Sequence, residues 1–283
     1  MNTTLPNGFA ILRAQHLLGY QTRFRSTCTR IGAAIGVELE PHTARDYGEL
    51  TKAFEAGTIG LAWVPPITAA RLVRRRLVAP LALPLRRGSA SYCSVVVAHE
   101  DAPSDLSAYR SPRVAWVDPE SAAGYLAARG PTLERCGPFA SEQFFGSHSA
   151  VVDAVAIRGV DLGASFGAFD AESGELVEAE WLDGNGKKLR PVKAIARFGA
   201  IPNDCLVVST RWPHALQAKA REWFYAASRD ELDIVADLLR SDRLVPVDEA
   251  WQQGVDRVLA DARAHGLAEL GSRRSHDVGR ARS

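Results

Sequence analysis

The chain has 283 residues, of which 46% are hydrophobic and 24% charged. This composition is that of a globular protein and excludes a disordered chain. Its 34 basic and 33 acidic side chains leave a net charge of +1, which argues against a dedicated nucleic-acid-binding protein with its strongly basic surface.

The N-terminal third alternates apolar segments with helical patterns. Asp46 followed three residues later by Glu49 is typical of a helix N-terminus, and Gly57 is typical of a helix C-terminus. The hydrophobic spacing predicts strands over residues 8–12, 37–40 and 59–64, and helices over 22–35 and 47–56.

The same alternation continues along the chain. Strands are predicted over residues 94–98, 114–117 and 159–164, helices over 125–129, 149–158, 215–227, 229–239 and 248–264, and a hairpin over 180–189. Strands that alternate with helices predict an α/β fold with mostly parallel sheets flanked by helices.

The four cysteines, Cys28, Cys93, Cys136 and Cys205, are far apart in the chain and form no C-x-x-C pair. Zinc sites normally take their ligands from close pairs, so we predict no metal site and no cofactor. Two states of the thiols remain open: four free, buried thiols, or a disulfide between Cys28 and Cys205.

The N-terminal residues bear on the compartment in which the protein works. Residues 1–8 contain no basic segment and lead directly into a short apolar run, without the cleavage site of a secretory signal. No apolar stretch approaches the ~18 residues of a membrane span. We therefore expect a cytoplasmic protein as the sequence is written, and a periplasmic or exported one if the true start lies upstream.

Four stretches, in this order and spacing, resemble one protein family. They are residues 46–53 with 57–66, residues 117–126, residues 146–149 with 154–155 and 159–164, and residues 201–204. The family is that of the substrate-binding components of phosphate, phosphite and phosphonate ABC importers, which have the type 2 periplasmic binding fold. The resemblance covers roughly residues 8 to 225.

The resemblance implies a two-lobed α/β fold with two crossover strands. Lobe 1 would comprise residues 1–92 and 196–270, lobe 2 residues 93–195, and residues 271–283 would be a flexible basic tail. A small, anionic, phosphonate- or phosphate-like ligand would lie in the cleft, and the lobes would close over it by hinge motion without catalysis. The implied partner is an ABC transporter permease, or a signalling protein if the chain is a sensor.

The most informative candidate site is the turn formed by Ser121, Ala122, Ala123 and Gly124. It follows a predicted strand and opens a helix, where backbone N–H groups and the helix dipole bind anions. An ordinary N-cap serine would also explain Ser121. The family places hydroxyl residues across this turn, and Ala122 and Ala123 lack them, so a carboxylate or a less highly charged ligand competes with a phosphonate.

His148 and Tyr47 are the next candidates. In the family the histidine reaches the bound oxyanion, a role that suits a side chain that titrates near neutral pH. A surface or helix-capping histidine is the alternative. Tyr47 opens a helix where the family has a ligand-facing aromatic residue, and core packing is its alternative.

The remaining candidates come from strand ends and loops. Ser91 and Tyr92 lie beside the first crossover and would line the cleft. Trp63 ends a strand at the edge where open α/β sheets bind ligands, although a core tryptophan is the competing interpretation and is slightly favoured. Asp170 would hold a ligand amine, as acidic groups do in relatives, or be a solvated loop residue.

Two other function classes stay open. One is a cytoplasmic enzyme on the same fold, like those of menaquinone or thiamin-precursor synthesis, and the other is a sensor that docks to a partner protein. Ser121, His148 and Asp170 have the side chains of a catalytic triad, but the G-x-S-x-G of a nucleophile elbow is missing around Ser121. No nucleotide-binding glycine motif opens a helix after a strand.

Overall fold

The structure is a computed structural model that describes residues 5–12, 20–170, 172–232, 235, 237, 241 and 243–267. Two sheets organise these residues. The first contains β1 Gly8–Leu12, β2 Glu40–Ala44, β3 Ile59–Val64, β4 Val78–Leu85, β11 Cys205–Ser209 and β12 Arg243–Val245, in the order β12-β4-β11-β3-β1-β2.

The second sheet takes its strands from the middle of the chain. It contains β5 Ser91–His99, β6 Arg113–Trp116, β7 Ser141–Phe144, β8 Leu162–Phe169, β9 Leu176–Ala179 and β10 Val192–Pro202. The strand order is β10-β5-β8-β6-β7, and β9 pairs with β8 outside this path.

Helices flank both sheets. They are α1 Tyr20–Ile35, α2 Tyr47–Ala56, α3 Pro66–Arg74, α4 Arg129–Cys136, α5 His148–Ala156, α6 His214–Ala226, α7 Arg229–Leu232 and α8 Glu249–Ala264. A 3₁₀-helix spans Leu106–Ala108, and a π-helix spans Ala122–Leu126.

The two-lobed α/β fold is confirmed, but its sheets are mixed rather than mostly parallel. Strand β1 runs parallel to β2 and β3, and β6 runs parallel to β7 and β8, whereas the other pairs are antiparallel. For β8 and β9 the physical reason is their connection: no helix intervenes between them, so they lack the long crossover that parallel pairing needs. The other antiparallel pairs join strands that are distant in the chain.

Several predicted elements differ from those observed. The predicted strand over 37–40 is wrong: strand β2 covers Glu40–Ala44, and residues 37–39 only complete the turn after α1. The predicted strand over 159–164 begins late, at Leu162, because Arg158 at φ 59° and the residues after it turn out of α5.

Other predictions are only partly confirmed. The helix predicted over 125–129 falls across the end of the π-helix and the start of α4, and the hairpin over 180–189 is a turn closed by one bridge between Leu182 and Lys188. Most of the helix predicted over 229–239 beyond Leu232, and the tail over 271–283, lie outside the described residues.

The thiols are free in the structure. Cys28 and Cys205 are buried and form no disulfide, and Cys136 is also buried, whereas Cys93 is partly exposed. Burial raises the pKa of Cys28 to about 12, and that of Cys205 likewise to about 12. The free-thiol alternative of the sequence analysis therefore describes the folded chain.

A buried amide joins the two connections between the sheets. The Asn203 side chain, which is 0% exposed, donates from Nδ2 to the Pro84 carbonyl at 2.8 Å and to the Ser89 carbonyl at 2.9 Å. Its backbone N–H donates to Ala90, and its carbonyl accepts from Trp251 Nε1 at 3.0 Å. The chain leaving β10 is thus fixed to the chain leaving β4.

The limits predicted for the lobes fall near this junction. The limit between residues 92 and 93 lies inside β5, and the limit between 195 and 196 lies inside β10. These two strands pair antiparallel from Val192 with His99 to Pro202 with Ser91. The limits themselves stay a prediction.

We expect Asn203→Ala to lower the free energy of unfolding by about 2 kcal/mol, because it removes the two buried hydrogen bonds that the amide donates. Urea unfolding followed by far-UV circular dichroism measures this change.

The matched variant is Asn203→Asp, which removes the same donors and also buries a charge, so it should destabilise more than Asn203→Ala. An Asp variant as stable as the Ala variant would contradict the burial and bonding assigned to this amide.

Candidate ligand-binding site

Two helix N-termini lie side by side at the carboxyl ends of β6 and β7. The loop after β7 is held to the end of β6 by hydrogen bonds of 2.8 Å from Phe145 N to the Trp116 carbonyl and from Gly146 N to the Val117 carbonyl. The loop after β6 leads into the π-helix, and the loop after β7 leads into α5. Their positive ends therefore act on the same region of space.

The Ser121–Gly124 turn caps the π-helix. Ser121 Oγ accepts from Gly124 N at 3.0 Å, so the N-cap alternative of the sequence analysis is observed. The N–H groups of Ala122 and Ala123 stand ahead of the first helical hydrogen bond, from Leu126 N to the Ser121 carbonyl, and have no partner within the helix. They are the donors that this turn offers to an anion.

The turn is packed tightly against its surroundings. Ala122 is 3% exposed and Ala123 1% exposed, and both belong to a core cluster that includes residues of the first sheet and of α3. A side chain at Gly124 would overlap Val117, which explains the glycine there. Ser94 Oγ donates to the Ala123 carbonyl at 2.5 Å and fixes the turn from β5.

His148 is the first residue of α5, and its ring is held on two sides. Nδ1 lies 3.1 Å from the hydroxyl of Ser165, a fully buried residue of β8, and the Phe166 ring packs edge-on at 5.2 Å between centroids. Ser147 caps the helix by accepting from Ala150 N at 3.2 Å. The histidine is thereby oriented at one of the two helix starts.

Tyr47 reaches the turn from the opposite lobe. It is the first residue of α2, which begins at the Asp46 N-cap. The Ser121 hydroxyl lies close enough to the Tyr47 hydroxyl to lower the pKa of Tyr47, so the two candidates are brought together. Burial raises the pKa of Tyr47, and the nearby Asp118 and Asp204 carboxylates raise it further.

Tyr92 belongs to the same neighbourhood. Burial raises its pKa well above the ordinary value, and Asp204 adds to this effect while Arg86 opposes it. Tyr92 packs against the core cluster to which Ala122 and Ala123 belong. Four parts of the candidate site therefore lie together: Tyr47, Tyr92, the Ser121–Gly124 turn and, beside that turn, the start of α5.

Carboxylates that the sequence analysis missed surround the Tyr47 hydroxyl. Asp118 is half-buried, accepts from Glu120 N at 2.7 Å and has no ion-pair partner among the described residues. Burial raises the pKa of Asp118, and the Glu120 and Asp46 carboxylates raise it further. A signal was present, because Asp118 directly follows a predicted strand inside a stretch that resembles the family.

Two arginines balance part of this negative charge. Arg86 pairs with Asp204 at 2.7 Å, with side-chain exposures of only 14% and 12%, and Arg71 pairs with Glu120. Three carboxylates (Asp118, Glu120 and Asp204) thus face two guanidinium groups. The site has a positive side at the helix starts and a negative side beside the tyrosines.

The structure does not bring the other candidates into this group. Trp63 packs against the core cluster on the α1 and α6 side of the first sheet, and its Nε1 has no hydrogen-bond partner among the described residues. Ser91 is exposed at the start of β5. Their roles as ligand contacts stay predictions.

Asp170 lies in the exposed loop after β8. Its Oδ1 accepts from the N–H groups of Glu172 and Ser173 and from the Ser173 hydroxyl. The Ser173 hydrogen bonds lower the pKa of this carboxyl. Its role toward a ligand amine also stays a prediction, and within the described residues Asp170, His148 and Ser121 each have other hydrogen-bond partners rather than forming a triad.

Comparisons with known proteins agree with this geometry. A family model described as the periplasmic substrate-binding protein of phosphonate ABC transporters matches residues 9–252. No curated protein matches the chain by sequence. In the described residues, none of the helices is both long enough and apolar enough to cross a membrane.

Solved structures share the fold at low identity. A binding-protein component of an ABC phosphonate transporter from Pseudomonas aeruginosa has a TM-score of 0.69 and 18% identity over 94% of this chain and 90% of its own. PhnD1 from Prochlorococcus marinus in complex with methylphosphonate has a TM-score of 0.71 and 14% identity, over 93% of this chain and 99% of its own. A Xanthomonas citri protein bound to ATP has a TM-score of 0.68 and 17% identity, over 92% of this chain and 98% of its own.

We expect Asp118→Asn to stabilise the protein at pH 7. Because the pKa of Asp118 is raised in the folded state, its ionisation favours unfolding. Asp118 therefore costs no stability below the ordinary aspartate pKa, and it lowers the free energy of unfolding as the pH rises through the folded-state pKa. Asparagine cannot ionise and still accepts from Glu120 N. Urea unfolding at pH 7 and near pH 3 should show a gain that disappears in acid.

Asp170→Asn is the matched control with the opposite sign. Its carboxyl pKa is lowered in the folded state, so its ionisation favours folding and the asparagine variant should lose stability at pH 7. Loss of stability at pH 7 in both variants would contradict the raised pKa of Asp118.

Proposed function

We propose that this chain, which belongs to the family of periplasmic substrate-binding proteins of phosphonate ABC transporters, binds a small ligand whose anionic group sits at the paired helix starts. The observation that carries this proposal is the meeting of the Ser121–Gly124 turn, the His148 helix start and Tyr47 of the other lobe. Backbone N–H groups and the positive ends of two neighbouring helices favour negative charge here.

The chemistry of the turn limits the charge of the ligand. Ala122 and Ala123 supply only backbone donors, and Ser121 Oγ is already engaged with Gly124 N and Tyr47. A doubly charged phosphoryl group needs more donors than a carboxylate or a singly charged phosphonate ester or sulfonate, because every buried oxyanion oxygen must be satisfied. We therefore favour a singly charged oxyanion.

The opposite side of the site favours a ligand with a hydrogen-bond donor or a cationic group. Asp118 has no ion-pair partner among the described residues, and it lies near Tyr47. A carboxylate held in a low-polarity site repels a second anion and attracts a donor. A zwitterion or a hydroxylated anion suits both sides.

We propose binding without turnover, as in the family of transport proteins to which the chain belongs. The hydrogen bonds of Ser121, His148 and Asp170 serve a cap, a ring orientation and a loop turn, respectively. We accordingly propose neither the enzyme nor the sensor alternative.

The family supplies a compartment and a partner. Its members are periplasmic and serve ABC transporters, and we propose periplasmic delivery to a permease for this chain, in preference to the cytoplasmic location expected from the sequence as written. Recovery of the protein in an osmotic-shock fraction of its natural host would support this compartment.

A thermal-shift screen tests the ligand class. The panel should contain phosphate, methylphosphonate, aminoalkylphosphonates, alkylsulfonates, small carboxylates and amino acids. A ligand at 100 times its Kd adds about 2.7 kcal/mol of stability, so we expect clear shifts with singly charged or zwitterionic anions and smaller shifts with phosphate. A cooperative melt that no oxyanion shifts would contradict the proposal.

Once a ligand is found, His148→Gln and Ser121→Ala should each weaken its binding by more than about ten-fold, equivalent to roughly 1.4 kcal/mol. Isothermal titration calorimetry measures the change. His214→Gln is the control, because His214 is an exposed residue at the start of α6. Equal affinities for the parent and the His148 and Ser121 variants would refute the site.

A further inference from the structure

One ion pair crosses between the two bodies of the structure beside the candidate site. Arg71 lies on α3, whose residues Ile67 and Leu72 pack in the core cluster of the first sheet. Glu120 lies in the loop after β6 of the second sheet. Arg71 Nη1 pairs with Glu120 Oε1, and the side chains are 27% and 24% exposed.

We propose that Arg71 and Glu120 are positioning residues of the binding site, whose ion pair holds the Ser121–Gly124 turn against Tyr47. This inference rests on the proposed function only because that function makes the Ser121–Gly124 turn a binding site. Glu120 directly precedes Ser121, so a displacement of Glu120 moves the N-cap of the π-helix and the donors that follow it.

Burial makes this pair stronger than a surface ion pair. Solvent and salt screen partly buried charges much less than exposed ones. Glu120 Oε2 is also buried and has no hydrogen-bond partner in the described part of the chain. The carboxylate therefore depends on Arg71, and loss of the arginine leaves a poorly solvated charge behind.

Nearby carboxylates increase this dependence. The Glu120 and Asp46 charges raise the pKa of Asp118, and Arg71 lowers it. The guanidinium thus offsets repulsion among three carboxylates, two from the second-sheet loop and one from the start of α2. Without it, the loop and α2 repel each other at the point where Ser121 meets Tyr47.

A neighbouring ion pair on the same helix provides a matched control. Arg74 lies one turn further along α3 and pairs with Asp256 of α8 at 2.6 Å, with side-chain exposures of 54% and 49%. It shares the residue type and the helix with Arg71, but its partner Asp256 belongs to α8 rather than to the loop that carries Ser121.

Hydrogen–deuterium exchange tests the proposal without any ligand. We expect Arg71→Gln to speed amide exchange in the segment 121–127, whose N–H groups at Gly124, Leu126 and Ala127 are hydrogen-bonded within the turn and helix. Arg74→Gln should leave that segment unchanged. Equal exchange in both variants would overturn the proposal, whatever the ligand screen finds.

A double-mutant cycle with uncharged glutamine substitutions shows whether Arg71 and Glu120 act as a pair. Glu120→Gln should change exchange less than Arg71→Gln, because the Arg71 guanidinium that it leaves still faces the Asp118 carboxylate. Adding Glu120→Gln to Arg71→Gln should restore much of the protection. Additive effects in the double variant would contradict pairing.

Ligand kinetics supply the functional readout. For a ligand identified by the screen, Arg71→Gln should raise the dissociation rate by about ten-fold and change the association rate little, as expected when one partner of a buried charge pair is lost. Faster exchange with no change in dissociation would refute a role in binding. A failed screen with faster exchange would refute the proposed ligand class and leave the positioning intact.

Discussion

The architecture depends on the buried Asn203 amide, because it fixes where the chain passes from one sheet to the other. Nδ2 joins carbonyls on both sides of the first connection, at Pro84 and Ser89, while Asn203 itself belongs to the second connection. With both connections tied, β5 and β10 leave the junction as an antiparallel pair. The loop that follows β6 then meets α2 and α3, where Ser121 lies near Tyr47 and Glu120 pairs with Arg71.

The site combines two electrostatic environments that proteins usually keep apart. Helix starts concentrate positive potential around the Ser121–Gly124 turn, and carboxylates concentrate negative potential around Tyr47, whose hydroxyl lies near that of Ser121. The negative environment lowers the stability of the fold, since Asp118 is a half-buried carboxylate without an ion-pair partner among the described residues. Such a cost is common where a side chain is held for binding rather than for stability.

Local signals of the sequence were sufficient for the strands and helices that carry regular hydrophobic patterns, such as β3, α2 and α8. They failed where tertiary pairing decides the structure. Strand β10 alternates poorly and exists because it pairs with β5, and β2 contains Pro41, which an edge strand tolerates. The resemblance located Tyr47 and the Ser121 turn, but Asp118 and Arg71 gain their meaning only from contacts between lobes that no linear pattern encodes.

The two alanines at the anion turn show how closure and specificity are linked. A hydroxyl at position 122 or 123 would be a donor for an oxyanion, whereas the methyl groups pack with residues of the first sheet and of α3 in one apolar cluster. Burial of apolar surface is non-directional and does not depend on the charge of the ligand. In the function that we propose, part of the free energy of lobe closure would come from the protein itself, and the ligand need supply fewer hydrogen bonds. This division explains how a turn with only backbone donors can serve as the anion-binding side of the proposed site.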